Sequence, residues 1–289
     1  MLHCPSEKRD LVEFDTMHRP SKVRDSIMFR TMDELIRKGG LSKNDSYLLV
    51  FAGDFDKAVL DQLGVIDYCL TNVSDDPINH ADSRQDLADA RQLSYPDSFF
   101  DHVVAHAGLH HTSRPHQAVC EMYRCARKSV LFFEAQDSIF MRLAVRLGLV
   151  AKYEWNAIFD SDGKRGGVDD SPVPNYVYRW TRREVEKLIR SLDPFVEPRF
   201  SFFREWDIYF DRLARRLSRT PIGWLPESLV RFGCWVFVKT LNATLGFGGN
   251  SFVVCIHKGQ AKTQPWIKTV DGDRVFDSQA VHEPPPSSI

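Results

Sequence analysis

The fold of this chain is decided by residues 86–135, which read DLADARQLSYPDSFFDHVVAHAGLHHTSRPHQAVCEMYRCARKSVLFFEA. Two mainly apolar runs, Phe100–Ala105 and Ser129–Phe133, are typical of strands that are buried on both faces of a parallel sheet. Between them, the apolar residues of 116–126 recur at helical spacing, which predicts an α-helix. This order of strand, helix and strand predicts a parallel unit of an α/β sheet.

The same alternation continues toward the N-terminus. Tyr47–Ala52 is a continuous apolar run that ends at Gly53, and Val65–Leu70 is a second such run. A short helix over 57–63 is predicted between them, and a longer helix is predicted over 21–38 because its apolar residues share one face. We therefore predict an α/β fold with a doubly wound sheet.

The pattern changes beyond Glu134. Thr181 is expected to cap a helix that runs to about Leu192, since Glu184 three residues later completes a capping box. The other predicted elements are a helix over 138–150, strands over 199–206 and 251–257, and a helical insertion over 207–250 before the last strand.

Composition restricts the class of protein. The 289 residues are 43% hydrophobic and 27% charged, which is typical of a globular chain. With 38 basic and 39 acidic residues the net charge is −1, so no overall charge footprint for nucleic acid is present. The six cysteines form no CxxC pair, the first residues lack an apolar signal region, and no apolar run reaches roughly 18 residues. We expect a soluble cytoplasmic protein with reduced thiols.

Residues 86–135 resemble the central block of class I S-adenosylmethionine (SAM)-dependent methyltransferases of the small-molecule type. The resemblance implies a Rossmann-like, doubly wound, seven-stranded sheet with a helical insertion before the last strand, and SAM as cofactor. The matching positions are Asp89-Ala90, Leu93, Tyr95-Pro96, Ser98, Phe100-Asp101, Leu109-His110-His111 and the segment from Glu121 to Arg127.

A narrower resemblance concerns the phrases HAGLHH, EMYR-ARK, FEA-DS, RLAVRLGL and P-PN--YRWT-REVEK. They are similar to methyltransferases of bacterial surface-glycan gene clusters. This implies O-methylation of a sugar hydroxyl in a surface glycan or its precursor. The partner is then a small-molecule or glycan acceptor, and the enzyme is cytoplasmic or peripheral to the inner membrane.

We divide the chain into three parts. An N-terminal helical cap (1–40) precedes a methyltransferase domain (41–258), and a C-terminal tail (259–289) follows, whose proline-rich end is expected to be disordered. Within the domain, the segment 160–180 begins with an acidic, glycine-containing loop and is expected to act as a lid; the alternative is a disordered surface loop. The helical insertion occupies 207–250.

The resemblance also assigns cofactor contacts. Asp89 faces the adenine amino group, the Ala90 amide lies near a ring nitrogen, and His106 lies beneath the sulfonium. Asn72 takes the place of the acidic residue that contacts the ribose, and Asp75-Asp76 follow it. The alternative for the two aspartates is a solvated turn.

The first loop departs from the glycine-rich pattern of the family. The segment VFAGDFD carries one glycine, so the methionine part of SAM is expected to contact Ala52, Gly53 and Asp54, with Asp56 as a further candidate. Glycine at this place lets the backbone approach a ligand closely. The alternative is a plain turn between strand and helix.

If the acceptor is a hydroxyl, a base must take its proton, and a neutral histidine suits that role near pH 7. His111 is the first candidate and His110 the second; the alternative is a structural histidine that caps the next helix. His102, His106 and His110 are spaced by four, but about 13 Å separates such residues along a strand. We therefore predict no metal site, although the spare aspartates leave assistance by a divalent ion open.

Two rival functions remain. The poor glycine loop favours a methyltransferase-like scaffold protein without catalysis. The amphipathic segment 204–219 and the apolar stretch 225–245 favour contact with an anionic membrane surface, against the alternative of ordinary core helices. The aromatic segment 175–180 suits stacking on a sugar or packing at the sheet edge.

Overall fold

The computed structural model describes residues 23–73, 84–207 and 226–280, apart from the side chains of Asp160 and Glu227. Within these residues the strands are β1 (Ser46–Val50), β2 (Asp67–Asn72), β3 (Arg84–Leu87), β4 (Phe100–His106), β5 (Ala126–Ala135), β6 (Tyr153–Glu154), β7 (Asn175–Tyr176), β8 (Val196–Glu205), β9 (Ser251–Thr263), β10 (Ile267–Val270) and β11 (Asp273–Phe276).

Seven of these strands form the main sheet, in the order β3-β2-β1-β4-β5-β9-β8. The strands from β3 to β5 are parallel, and β9 is antiparallel to both β5 and β8. This arrangement confirms the predicted Rossmann-like methyltransferase fold. The order reverses between β1 and β4, which is the place where α/β sheets of this kind bind ligands.

Helices cover both faces of the sheet. The first helix begins later than predicted, after Ser26, whose hydroxyl accepts a hydrogen bond from the Phe29 amide. The second helix begins earlier than predicted, directly after Gly53. In chain order the helices are α1 (Ile27–Arg37), α2 (Asp54–Leu63), α3 (Pro115–Cys125), α4 (Ile139–Arg146), α5 (Asn156–Asp160), α6 (Arg182–Leu192) and α7 (Glu227–Leu245).

The core has two halves because successive strand residues point to opposite faces. In β1, Leu48 and Val50 pack with α3 and α6, whereas Tyr47 and Leu49 pack with α1 and α2. The continuous apolar runs of the sequence are explained by this double coverage.

Thr181 begins α6 through the predicted capping box. Its hydroxyl accepts from the Glu184 amide at 3.2 Å, and the Glu184 carboxylate accepts from the Thr181 amide at 3.4 Å. Thr181→Ala is expected to lower the free energy of unfolding by about 1 kcal/mol in chemical denaturation. Thr244→Ala is the control, since that exposed hydroxyl only bonds the Thr240 carbonyl within α7. Equal losses in the two variants would contradict the capping role.

The chain beyond 258 differs from the predicted tail. β9 continues to Thr263, and β10 and β11 pair as an antiparallel hairpin. The proline-rich end, 281–289, lies outside the described residues, as do residues 1–22 of the predicted cap and 208–225 of the predicted insertion. The division into cap, domain and tail therefore stays a prediction.

Candidate active site

The carboxyl ends of β1 and β4 meet at the point where the strand order reverses. Phe51, directly after β1, has a left-handed backbone with φ 58°. Its side chain lies 2.3 Å from the position that a Cβ on Gly108 would take. Only glycine fits at 108 without moving that ring, so this contact fixes how the two strand ends approach each other.

Asp56 organises the first loop. One of its carboxylate oxygens accepts from the Gly53 amide at 2.8 Å, and the other lies 2.8 Å from Nδ1 of His106. The Gly53 amide, predicted as a ligand contact, is thus engaged within the protein, whereas Asp54 is exposed and Ala52 is buried. The pairing of Asp56 with His106 was not predicted, because 50 residues separate them in sequence.

Asn72 connects the second strand end to the first loop. Its amide group donates to the Ala52 carbonyl at 3.0 Å, and its oxygen accepts from the Val73 amide at 2.8 Å. Asp75 and Asp76, predicted to follow it at the ribose, lie outside the described residues. Asn72 therefore lies next to the loop that carries Gly53.

Asp89 follows the third strand and is held by Arg91, which contacts both carboxylate oxygens at 2.7–3.0 Å. The hydrogen bonds from Arg91 lower the pKa of Asp89, so the carboxylate is anionic. Arg91 also contacts Asp169 at 2.7 Å, and Asp169 accepts from the Ser113 amide. The loop after β3 is thereby joined to the predicted lid segment. Ala90 beside it is buried.

These groups fit a cofactor that presents hydrogen-bond donors. Asp54 and Asp89 offer carboxylates and Asn72 offers an amide oxygen, whereas SAM carries an ammonium, two ribose hydroxyls and an adenine amino group. A charge-assisted acceptor is worth roughly twice a neutral one. The residues present therefore match the cofactor in chemistry, at three neighbouring strand ends.

Asp89→Ala is expected to weaken binding of S-adenosylhomocysteine by about ten-fold or more, since it removes a charged acceptor. Calorimetric titration measures the change. Asp97→Ala is the matched control, because Asp97 also pairs with an arginine, Arg124, but is 80% exposed. A similar loss in both variants would remove Asp89 from the cofactor site.

His110 lies between two carboxylates. Its Nδ1 is 2.6 Å from Glu134 and its Nε2 is 3.2 Å from Glu154. Glu134 is fully buried and also accepts from the Leu109 amide at 2.7 Å. Burial opposes a charge on the ring, but the two carboxylates outweigh it and raise the pKa of His110 to about 10. His110 is therefore protonated near neutral pH and is a poor proton acceptor.

His111 has the opposite character. Burial and the neighbouring charge on His110 lower the pKa of His111 to about 4, so its ring is neutral at pH 7. The backbone of Gly166 in the lid segment lies beside the ring and partly offsets this effect, and Nε2 of the ring lies 3.4 Å from Glu154. The ring is thus unprotonated near neutral pH, which is the state in which a histidine accepts a proton.

Glu154 was not predicted, although it contacts both histidines. Burial raises its pKa, but the hydrogen bond from His110 and the charge of that ring overcome this effect and lower the pKa to about 2. The ligand atoms of these three side chains lie within 4.8 Å of one another, so they form the group in the described part of the chain that is able to hold a metal ion.

The three histidines spaced by four have separate partners. His102 contacts Asp45 at 2.9 Å and Ser129 at 2.7 Å, His106 contacts Asp56, and His110 contacts the two glutamates.

The aromatic segment 175–180 mostly packs into the protein. Trp180 is fully buried against Phe132 of the sheet, and the Tyr178 hydroxyl bonds Glu184. Tyr176 is exposed and contacts the ring of Tyr153. Two further exposed rings follow Glu154, namely Trp155 and Phe159, which stack with centroids 6.2 Å apart.

Residues 53–133 match the protein family described as Methyltransferase domain. The match implies a SAM-dependent methyltransferase domain around these residues, with S-adenosyl-L-methionine as its cofactor. No curated protein matches the chain.

Solved structures with a similar fold include a SAM-dependent methyltransferase from Archaeoglobus fulgidus, at 13% identity and a TM-score of 0.45, with 80% of this chain and 94% of that chain covered. The YcgJ protein from Bacillus subtilis has 12% identity and a TM-score of 0.47, with 81% and 99% covered. A SAM-dependent methyltransferase from Methanosarcina mazei has 14% identity and a TM-score of 0.44, with 77% and 96% covered.

Proposed function

We propose that the protein is an O-methyltransferase that acts on a sugar hydroxyl in a surface glycan or its precursor. The observation that supports this best is the neutral ring of His111 beside the Glu154 carboxylate, at 3.4 Å. The sugar acceptor rests on the resemblance of the sequence to surface-glycan methyltransferases and on the exposed aromatic rings.

His111 is the proposed base, and His110 is a positioning residue that stays protonated. Bound SAM supplies a methyl group activated by its sulfonium. A weak base suffices for an attacking hydroxyl, because the oxygen becomes much more acidic as it forms its new bond. Glu154 then stabilises the imidazolium of His111, and Glu134 holds His110 in place.

The exposed rings of Trp155, Phe159 and Tyr176 are the proposed acceptor platform. They lie on β6, α5 and β7 or beside them, next to Glu154. Aromatic faces offer large, rigid contact area to the apolar face of a sugar ring. Alanine at Trp155 is therefore expected to raise KM for the acceptor more than it changes kcat.

The segment 160–180 is the proposed lid over this site. The backbone of its Gly166 lies beside His111, and its Asp169 contacts Arg91, the partner of Asp89. The same segment thus touches both the proposed base and the cofactor side. Movement of this segment changes both sites together, which is how lids commonly couple binding to catalysis.

The test is transfer of a labelled methyl group from SAM to lipid-linked glycan precursors, with and without EDTA. Transfer that persists in EDTA is the expected result. Transfer that requires a divalent ion would replace the base assignment with metal binding at His110, His111 and Glu154. No transfer to any glycan acceptor would overturn the proposed substrate class.

The alternative is a methyltransferase-like scaffold protein, which the engaged Gly53 amide favours. Titration with S-adenosylhomocysteine separates the two. A ligand at 100 times its dissociation constant adds about 2.7 kcal/mol to stability, which a thermal melt detects. Absence of any shift at millimolar ligand would support the scaffold.

A further inference from the structure

Helix α7 buries its smaller apolar side chains and exposes its larger ones. Its buried row consists of Val230, Cys234 and Val238, which are small or medium-sized. Its large side chains point outward, with Phe232 60% and Trp235 47% exposed. A helix that packs on a globular core normally buries its large apolar residues. The exposed face of α7 therefore suits contact with another surface.

Helix α4 has the same property. Met141 is buried, whereas Ile139, Leu143 and Leu147 form an exposed row at intervals of four, with Leu143 54% and Leu147 63% exposed. Arg146 lies one residue before the last of these and is part of a basic row beside the apolar one.

The two helices are joined near the active site. Phe140 of α4 contacts Phe247, just after α7, with ring centroids 6.3 Å apart. The Ser138 hydroxyl donates to the Gly248 carbonyl at 2.7 Å. Ser251 pairs with Ala135 at the carboxyl end of β5. Both helices therefore lie at the carboxyl ends of the parallel strands, on the same side as the loops that follow β1, β2 and β3. We call these exposed residues of α4 and α7 the α4–α7 surface.

The charges around the α4–α7 surface are mainly basic. Residues 137–152 and 227–250 carry two acidic residues, Glu227 and Asp137, and Asp137 pairs with Arg142 at 3.5 Å. Their basic residues are Arg142, Arg146, Lys152, Arg231 and Lys239.

We propose that the α4–α7 surface docks the protein onto an anionic lipid bilayer. Exposed Trp, Phe and Leu next to Arg and Lys is the composition of helices that lie in the interface of anionic membranes. Contact with a second copy is disfavoured, because a two-fold interface places the same patch against itself and brings like charges together. Among the described residues, no helix is long and apolar enough to cross a membrane, so the contact is peripheral.

Docking at this edge brings the aromatic platform and His111 close to the membrane surface. An acceptor carried on a lipid is then held where its sugar reaches the site. This last step rests on the proposed function, whereas the docking surface itself does not.

The test is sedimentation of the full chain with vesicles of phosphatidylethanolamine and phosphatidylglycerol, compared with phosphatidylcholine vesicles. We expect binding to the anionic vesicles that weakens with salt. Phe232→Ser combined with Trp235→Ser is expected to weaken it at least about ten-fold, since binding scales with buried apolar area.

Ile66→Ser combined with Phe276→Ser is the matched control, because these residues are 80% and 59% exposed away from the α4–α7 surface. Unchanged binding is expected there, and both variants should keep their affinity for S-adenosylhomocysteine. No binding by the native chain, equal losses in both variants, or a dimer that the Phe232/Trp235 variant converts to monomer would each overturn the proposal. Failure of methyl transfer with intact vesicle binding would count against the proposed reaction alone.

Discussion

Glu134→Gln is expected to lower the free energy of unfolding by about 3–5 kcal/mol. The change removes the main partner of a buried charge, since His110 is 6% exposed and lies 2.6 Å from Glu134. Breaking one half of a buried ion pair leaves the other half uncompensated, which carries a cost of this size. Urea or guanidinium unfolding at neutral pH measures it.

Two controls separate this loss of stability from the general effect of replacing a glutamate. Glu186→Gln removes a partly exposed partner of the exposed Arg182 and is expected to cost less than about 1 kcal/mol. His110→Asn added to Glu134→Gln is expected to recover part of the stability, because the ring that carries the buried charge is then absent. A double variant no more stable than the single one would contradict the ion-pair explanation.

The pair also predicts how stability depends on pH. The folded pKa of His110, about 10, lies above its ordinary value of 6.5. A raised histidine pKa stabilises the fold fully below about 6.5, and the contribution is lost as pH rises toward 10. Alkaline destabilisation that is reduced in the Glu134→Gln variant is the expected result.

His111→Ala is expected to reduce methyl transfer by about 10²–10⁴-fold while S-adenosylhomocysteine affinity stays within about two-fold. That range is typical of the loss of a general base. His116→Ala is the control, because His116 also lies against a glutamate, Glu184 at 2.8 Å, but is 47% exposed. Loss of transfer only in step with loss of cofactor binding would indicate a structural histidine.

The pH profile of the native enzyme tests the same residue without mutation. With a lowered pKa of about 4, His111 keeps its neutral ring throughout pH 6–8. The rate is therefore expected to be flat over that range and to fall only as pH approaches 4, where the ring takes a proton. A fall centred near pH 6.5 would identify a histidine with an ordinary pKa as the base.

Local sequence patterns predicted the framework of the site well. Apolar runs and helical spacing placed β1, β4, β5 and α3 within a few residues, because each pattern reflects burial of one segment against its neighbours. The capping box at Thr181 was confirmed in detail, since both hydrogen bonds span three residues. The cofactor residues and the bases remain predictions that the experiments above test.

The pairings that give these residues their chemistry came only from the tertiary structure. Glu134 and Glu154 contact His110 across 24 and 44 residues, and Asp56 contacts His106 across 50. No local periodicity of the sequence indicates such partners, because they depend on which strand ends and loops the sheet brings together.

The sequence by itself thus determined most strands and helices of the main sheet, the fold class and the family resemblance, all of which follow from local apolar spacing and short motifs. It did not predict β3 or the β10–β11 hairpin. Tertiary structure decided which histidine is charged, because pKa depends on burial and on distant carboxylates. It also decided that the large side chains of α7 face outward, because the apolar stretch 225–245 has candidates for burial on every side. The row of α7 side chains that packs inward is set by the protein surface against which α7 lies, and the spacing of apolar residues does not indicate the shape of that surface.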